Sequence, residues 1–150
     1  MGRKINSEIK YDNKDFKIKI GTTDKKKPES VYIEIGTYIS PLSKKMNYLE
    51  EISYFEKSTK AYLKNKIKEN NFFEKDNFIT IIEIAEERIN LNKKSYLEVQ
   101  MYLKNTFEFR KNKIFKDLSN EIYDCYVKDS TEYIKNELES LGFEYVKNKK

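Results

Sequence analysis

The chain has 150 residues, of which 38% are hydrophobic and 37% charged, and its formal net charge is +5. That length makes one domain able to bury a core, and nine Phe with twelve Tyr supply apolar area that argues against disorder throughout. There is no histidine and one cysteine, Cys125, which excludes Ser-His-Asp and Cys-His nucleophile pairs, a His or thiolate zinc site, and an internal disulfide.

The charge is uneven: residues 1–75 carry 17 Lys/Arg against 11 Asp/Glu, and residues 76–150 carry 13 against 14. A basic first half suits a surface for phosphates or for an acidic protein. Lys outnumbers Arg 27 to 3, however, and an AT-rich coding sequence such as that of a bacterium or phage explains the lysines as well. The polar N-terminus has no signal-peptide core, and no run approaches the ~20 apolar residues of a membrane span. The cytoplasm is therefore the expected compartment, with no membrane partner.

Residues 1–13 are polar and are expected to be loosely held. Phe16, Ile18 and Ile20 then alternate with Lys17 and Lys19, and Val31, Ile33, Ile35 and Ile39 alternate with Tyr32, Glu34 and Tyr38. The polar segment between them ends in turn residues and carries Lys25, Lys26 and Lys27. This is a β-hairpin over roughly 14–40, closed by Pro41, which cannot continue a ladder. Gly36 inside its second strand signals a bulge or a close backbone approach.

Asn47 and Glu50 have capping-box spacing and open a helix to about Asn70. Tyr48, Leu49, Ile52, Phe55, Thr59, Leu63 and Ile67 share its apolar arc. Lys57, Lys60, Lys64 and Lys68 line a neighbouring face, as a phosphate contact or simply as a solvated helix surface. A second hairpin follows. Phe78 to Ile84 is apolar on both faces, as a central strand is, and Ser95 to Leu103 alternates, with Tyr96, Glu98, Gln100 and Tyr102 outward. Two helical arcs close the chain: Ile114, Phe115, Leu118, Ile122, Cys125 and Tyr126, then Ile134, Leu138 and Leu141. They are out of phase by about 150°, which predicts a break with Asp129 and Glu132 capping the new start. Gly142 and Phe143 read as a glycine C-cap with its hydrophobic contact, and 147–150 as a frayed tail.

The expected fold is thus α+β in a single domain over 1–150. A four-stranded, mainly antiparallel sheet of two hairpins carries helices on one face, in the order ββα-ββαα.

For function, the open face of that sheet matters most, because Lys17, Lys19, Tyr32, Tyr38, Tyr96 and Tyr102 share it. Exposed tyrosines can stack bases while lysines neutralise phosphates. They can equally anchor a protein partner, or lie covered by a terminal helix. Catalysis is not expected. Four glycines form no phosphate loop, and Cys125 reads as a small buried hydrophobe. Asp76 with Glu98-Val-Gln100 resembles a metal-nuclease pattern only loosely, since Gln100 stands where Lys belongs and no Pro precedes Asp76.

The reading is a small, non-enzymatic, cytoplasmic binding protein without metal or cofactor. RNA or a ribonucleoprotein is its expected partner, and an acidic protein surface the second choice. Size and lysine content suit a phage or mobile-element inhibitor of a host defence nuclease. The alternatives are a structural or scaffolding homo-oligomer and, more distantly, a metal-dependent nuclease using Asp76 and Glu98.

Overall fold

The computed structural model describes residues 7–22, 30–41, 48–69, 73–89, 92–105 and 114–145. The strands are β1 (Ser7–Asp12), β2 (Lys17–Thr22), β3 (Ser30–Pro41), β4 (Phe73–Ile89), β5 (Asn92–Asn105) and β6 (Phe143–Tyr145), of which β2, β3 and β5 contain the alternating segments. The segments with helical period become α1 (Tyr48–Glu69), α2 (Phe115–Ile122) and α3 (Lys128–Ser140), with a π-helical turn, Tyr123–Val127, joining the last two. The class is α+β, with an antiparallel sheet whose strands run in the order β1-β2-β3-β5-β4. β5 pairs along one edge of β3 as far as Ile39, so β2 and β6 share the other edge, β6 beside Ile39–Pro41.

Both expected hairpins are present, β2–β3 and β4–β5. Three expectations are corrected. Within the polar N-terminal segment, Ser7–Asp12 is a strand paired with β2, because Ile9 and Tyr11 alternate with Glu8 and Lys10 and pack against the core. Asn13 turns the chain between the two strands, its side-chain oxygen accepting from the backbone N–H groups of Asp15 and Phe16 at 3.0 and 3.2 Å. β4, whose sequence reads as a central strand, lies at the end of the strand order. The C-terminal helices do not break at Asp129.

That third correction has a local cause. The two apolar arcs differ in phase, and the π turn rotates the helix so that both reach the core without leaving the axis. Its extra residue shows in the backbone bond from Lys128 N–H to the Tyr123 carbonyl, five residues back. Phe115, Leu118 and Ile122 are buried before it, Tyr126 and Val127 within it, and Ile134 and Leu138 after it. Asp129 is no cap; it forms an ion pair with Lys66 of α1 at 2.8 Å. Gly142 does cap α3, with φ at 92° and Phe143 buried beside it.

The core is the slab between one sheet face and the helices. Ile18, Ile20, Val31, Ile33, Ile35, Ile39, Leu97, Val99 and Met101 come from the sheet, and Ile52, Phe55, Leu63 and Ile67 from α1, all buried. Each such aliphatic side chain contributes about 1.5–3 kcal/mol relative to exposure. Tyr126 reaches between the layers, its hydroxyl 3.3 Å from the Leu63 carbonyl and 3.6 Å from Met101 Sδ. α1 and α3 run antiparallel and meet at one-turn intervals. Ser58 donates to Glu137 at 2.9 Å, Tyr62 stacks on Tyr133 at 3.9 Å, and Lys66 pairs with Asp129.

Candidate functional site

Because the core occupies one face of the sheet, every second residue of its strands is left on the other. Lys17, Lys19, Tyr32, Tyr38, Tyr96 and Tyr102 do share that face, and the contacts of the described helices are with its opposite side. The β3–β5 register sets Tyr32 beside Tyr102 and Tyr38 beside Tyr96. The rings pair accordingly, with centroids 4.9 and 4.8 Å apart and planes tilted by 41° and 57°. Tyr32, Tyr38 and Tyr96 are half-buried and Tyr102 is exposed. The rings thus cover one another, with edges open to solvent. Lys17 Nζ stands 5.9 Å from the centroid of Tyr38.

The two tyrosine pairs stand six positions apart on β3, roughly 20 Å along the strand. Between them lie Glu34, Gly36, Glu98 and Gln100. Tyr32 donates its hydroxyl to the Glu34 carboxylate, and the Gln100 amide donates to Glu98. Burial first, then the Glu34 hydrogen bond and the charges of Glu34 and Glu98, raise the Tyr32 hydroxyl pKa. Among the described side chains of this face, Lys10, Lys17 and Lys19 stand against Glu8, Glu34 and Glu98. The described part of the face is therefore aromatic and charge-balanced, with carboxylates between the tyrosine pairs. Gly36 is required there: the Tyr96 ring lies directly over it, and a Cβ would meet Tyr96 Oη at 2.0 Å.

The lysines of α1 form a separate surface. Lys57, Lys60, Lys64 and Lys68 are all exposed, and among the described residues none joins an ion pair or hydrogen bond. On the helix wheel they lie about 125° from the buried arc, on the flank away from α3. Among the described side chains of this helix, Tyr54, at 58% exposure, and Leu49, at 79%, are the exposed large apolar ones. The candidate residues thus fall on two surfaces, one on each side of the core. Lys25, Lys26 and Lys27 lie outside the described residues.

The carboxylate pair suggested for a nuclease is not assembled. Glu98 sits opposite Gly36 and Glu83, whereas Asp76 falls in the irregular stretch between Phe73 and Phe78, which pair with Asn105 and Leu103. At least five strand positions, roughly 16 Å, separate the two backbones, too far for a shared ion. Among the described residues, no three Cys, Asp or Glu side chains are grouped to hold a metal. Burial pushes the Cys125 thiol up to about 11, away from the thiolate a nucleophile needs. No described helix is long and apolar enough to cross a membrane.

Sequence reasoning passed over Glu34 and Glu98 as members of the site, although alternation alone places Glu34 between Tyr32 and Tyr38. Tyr11, Tyr62, Tyr123 and Tyr133 were not candidates, and the structure uses them internally. Tyr11 stacks on Tyr123 at 4.3 Å and bonds Asn120 at 2.8 Å, while Tyr62 and Tyr133 join α1 to α3. Compared with protein-family models, with curated proteins and with solved structures, the chain matches none.

Proposed function

We propose that this is a non-enzymatic binding protein that engages a nucleic acid or ribonucleoprotein, with the lysine flank of α1 meeting the phosphates. One observation carries the reading. Lys57, Lys60, Lys64 and Lys68 are exposed along one side of a helix, and no acid occurs between Lys57 and Lys68. The four amines span eleven residues of helix, about 16 Å, a length over which several phosphates of one strand can be neutralised. Lysines near a helix C-terminus also complement the macrodipole, but that effect is confined to the last turn and does not account for Lys57 or Lys60. An inhibitor carried by a phage or mobile element, acting on a nucleoprotein, is the setting this chemistry suits. Its support is the small size and the lysine content.

The test is a salt titration with labelled RNA, single-stranded DNA and duplex DNA. Four phosphate contacts give a log–log slope of about −3 for single strands and about −3.6 for duplex. Replacing all four lysines by Gln should remove most of that slope for every sequence. Absence of binding at low salt, or unchanged binding by the folded quadruple variant, would sink the proposal.

The sheet face supports a second reading, as a protein-docking surface. Glu34 and Glu98 lie between the tyrosine pairs, so a phosphate backbone laid across the face meets carboxylates, whereas a basic protein segment is attracted. Tyr32→Ala and Tyr38→Ala should then weaken a protein partner and leave nucleic-acid binding unaltered.

A further inference from the structure

Tyr54 stands apart from the other described tyrosine side chains. Their rings pair with one another or, at Tyr126, are buried. Tyr54 is exposed, and among the described residues neither its ring nor its hydroxyl has a partner. At about 100° per residue, Tyr54, Ala61 and Asn65 form a row about 75° round α1 from the row of Lys57, Lys60, Lys64 and Lys68. Ala61 and Asn65 are exposed as well. This second row lies on the side towards α3, which α1 meets through Ser58, Tyr62 and Lys66. On a helix of about 10–12 Å diameter the two rows run about 7 Å apart. One row is cationic, and the other offers an aromatic ring, a small residue and an amide.

We infer that this side of α1 takes a single-stranded nucleic acid, its phosphates on the lysine row and a base stacked on Tyr54, which rests on the phosphate contact proposed above. A nucleotide has the same two sides, an anionic backbone and a flat base set off from it by the sugar. The surroundings of α1 favour a single strand over a duplex. A helix seated in the major groove has phosphates on both flanks, but Lys66, on the flank towards α3, is already paired with Asp129. Packed helices lie about 8–10 Å apart, so a duplex laid on α1, with a major groove of about 12 Å, reaches α3. There it meets Asp129, Glu132 and Glu139, all exposed. The lysines of α3 do not offset them, because Lys128 pairs with Asp124 at 3.4 Å and Lys135 with Asp15 at 3.1 Å. A single strand confined to α1 keeps its phosphates on the flank away from those carboxylates. Glu50 and Glu51, in the first turn, bound the basic row, so the strand runs from Tyr54 towards Lys68.

The experiment measures binding of the full chain to labelled oligodeoxythymidylate, to an abasic strand of the same length and to a duplex of that length, all at one low salt concentration. Oligodeoxythymidylate should bind about five- to 150-fold more tightly than the abasic strand, the worth of one stacked base, and more tightly than the duplex. Tyr54→Ala should lose that factor on oligodeoxythymidylate, lose nothing on the abasic strand and leave the salt slope unaltered. Tyr54→Phe should bind as the wild type does. If replacing the four lysines abolishes binding while Tyr54→Ala binds oligodeoxythymidylate unchanged, the inference is overturned and the phosphate contact stands. If the wild type binds none of the three probes, both fall. A duplex bound as tightly as the single strand overturns the inference, as does a Tyr54→Ala loss that is equal on the abasic strand. The abasic and duplex comparisons use the unaltered protein, so they decide the matter if a variant fails to fold.

Discussion

Gly36 offers the sharpest test of the sheet face, because its reason for being glycine is spatial. Its φ is not in the left-handed region, so alanine is conformationally allowed there. What alanine lacks is room: its Cβ would stand 2.0 Å from Tyr96 Oη and 2.6 Å from Cζ. Gly36→Ala must therefore swing the Tyr96 ring outward. That breaks the pair with Tyr38, now 4.8 Å between centroids, at a cost of about 0.5–1.5 kcal/mol. Re-exposing roughly 40 Å² of ring and backbone adds about 1 kcal/mol. The lower entropy of the unfolded alanine chain offsets about 0.4–1 kcal/mol. The net expectation is a destabilisation of about 0.5–2 kcal/mol.

A double-mutant cycle separates this cause from a general dislike of alanine in the strand. With Tyr96→Ala already present the obstacle is gone, and Gly36→Ala should change sign, stabilising the fold by about 0.4–1 kcal/mol. The coupling between the two sites is then about 1–3 kcal/mol. Urea unfolding followed by circular dichroism measures all four corners, and unchanged m-values confirm that the same surface is exposed. Additivity of the two changes, to within about 0.5 kcal/mol, would refute the argument and with it the placement of the Tyr96 ring.

Two further outcomes follow from the C-terminal helices. Gly142→Ala, at φ 92°, should cost about 1–2 kcal/mol and lower the melting temperature, with Gly142→Asn costing less, because only the backbone strain differs. Cys125, pushed from its usual 9.0 to about 11, should hold about a hundredfold less thiolate near pH 8 than in the unfolded chain, so alkylation should accelerate on denaturation. The raised value also fixes the sign with pH: the neutral thiol is favoured in the native state, so its contribution is complete below pH 9 and is lost between pH 9 and about 11. Cys125→Ser should remove that part of the alkaline loss.

Most of the fold was legible wherever one face of an element is buried. Period-two alternation located β2, β3 and β5, and the 3.6-residue arc located α1 with its buried positions, since both patterns are written by the core itself. β1 was passed over because two alternating apolar residues, Ile9 and Tyr11, are a faint signal among polar neighbours. They are held by tertiary contacts, the Tyr11 hydroxyl lying 2.5 Å from Ser119 Oγ. The phase jump between the Tyr126 and Ile134 arcs was visible, but its resolution was not. A break and a π turn both correct the phase; the π turn also keeps Tyr126 and Val127 in the core, and only packing decides for it.

The candidate site was legible in its members and not in its electrostatics. Counting lysines over half of the chain averages over surfaces that the fold places on opposite sides of the core. Which charges become neighbours on a sheet is set by register, and register joins residues far apart in sequence. Glu98 comes to lie beside Gly36, between the tyrosine pairs, only because Tyr38 meets Tyr96. Sliding β5 by two residues would put Tyr38 opposite Glu98 and dissolve the tyrosine pairs. The lysines of α1 need no such partner strand. Their spacing along one helix already puts them on one flank, and nothing acidic is interleaved. A charge pattern local to one helix therefore passes from sequence to surface intact, which is why the phosphate-binding proposal rests on α1 and the tyrosine face is assigned to protein docking.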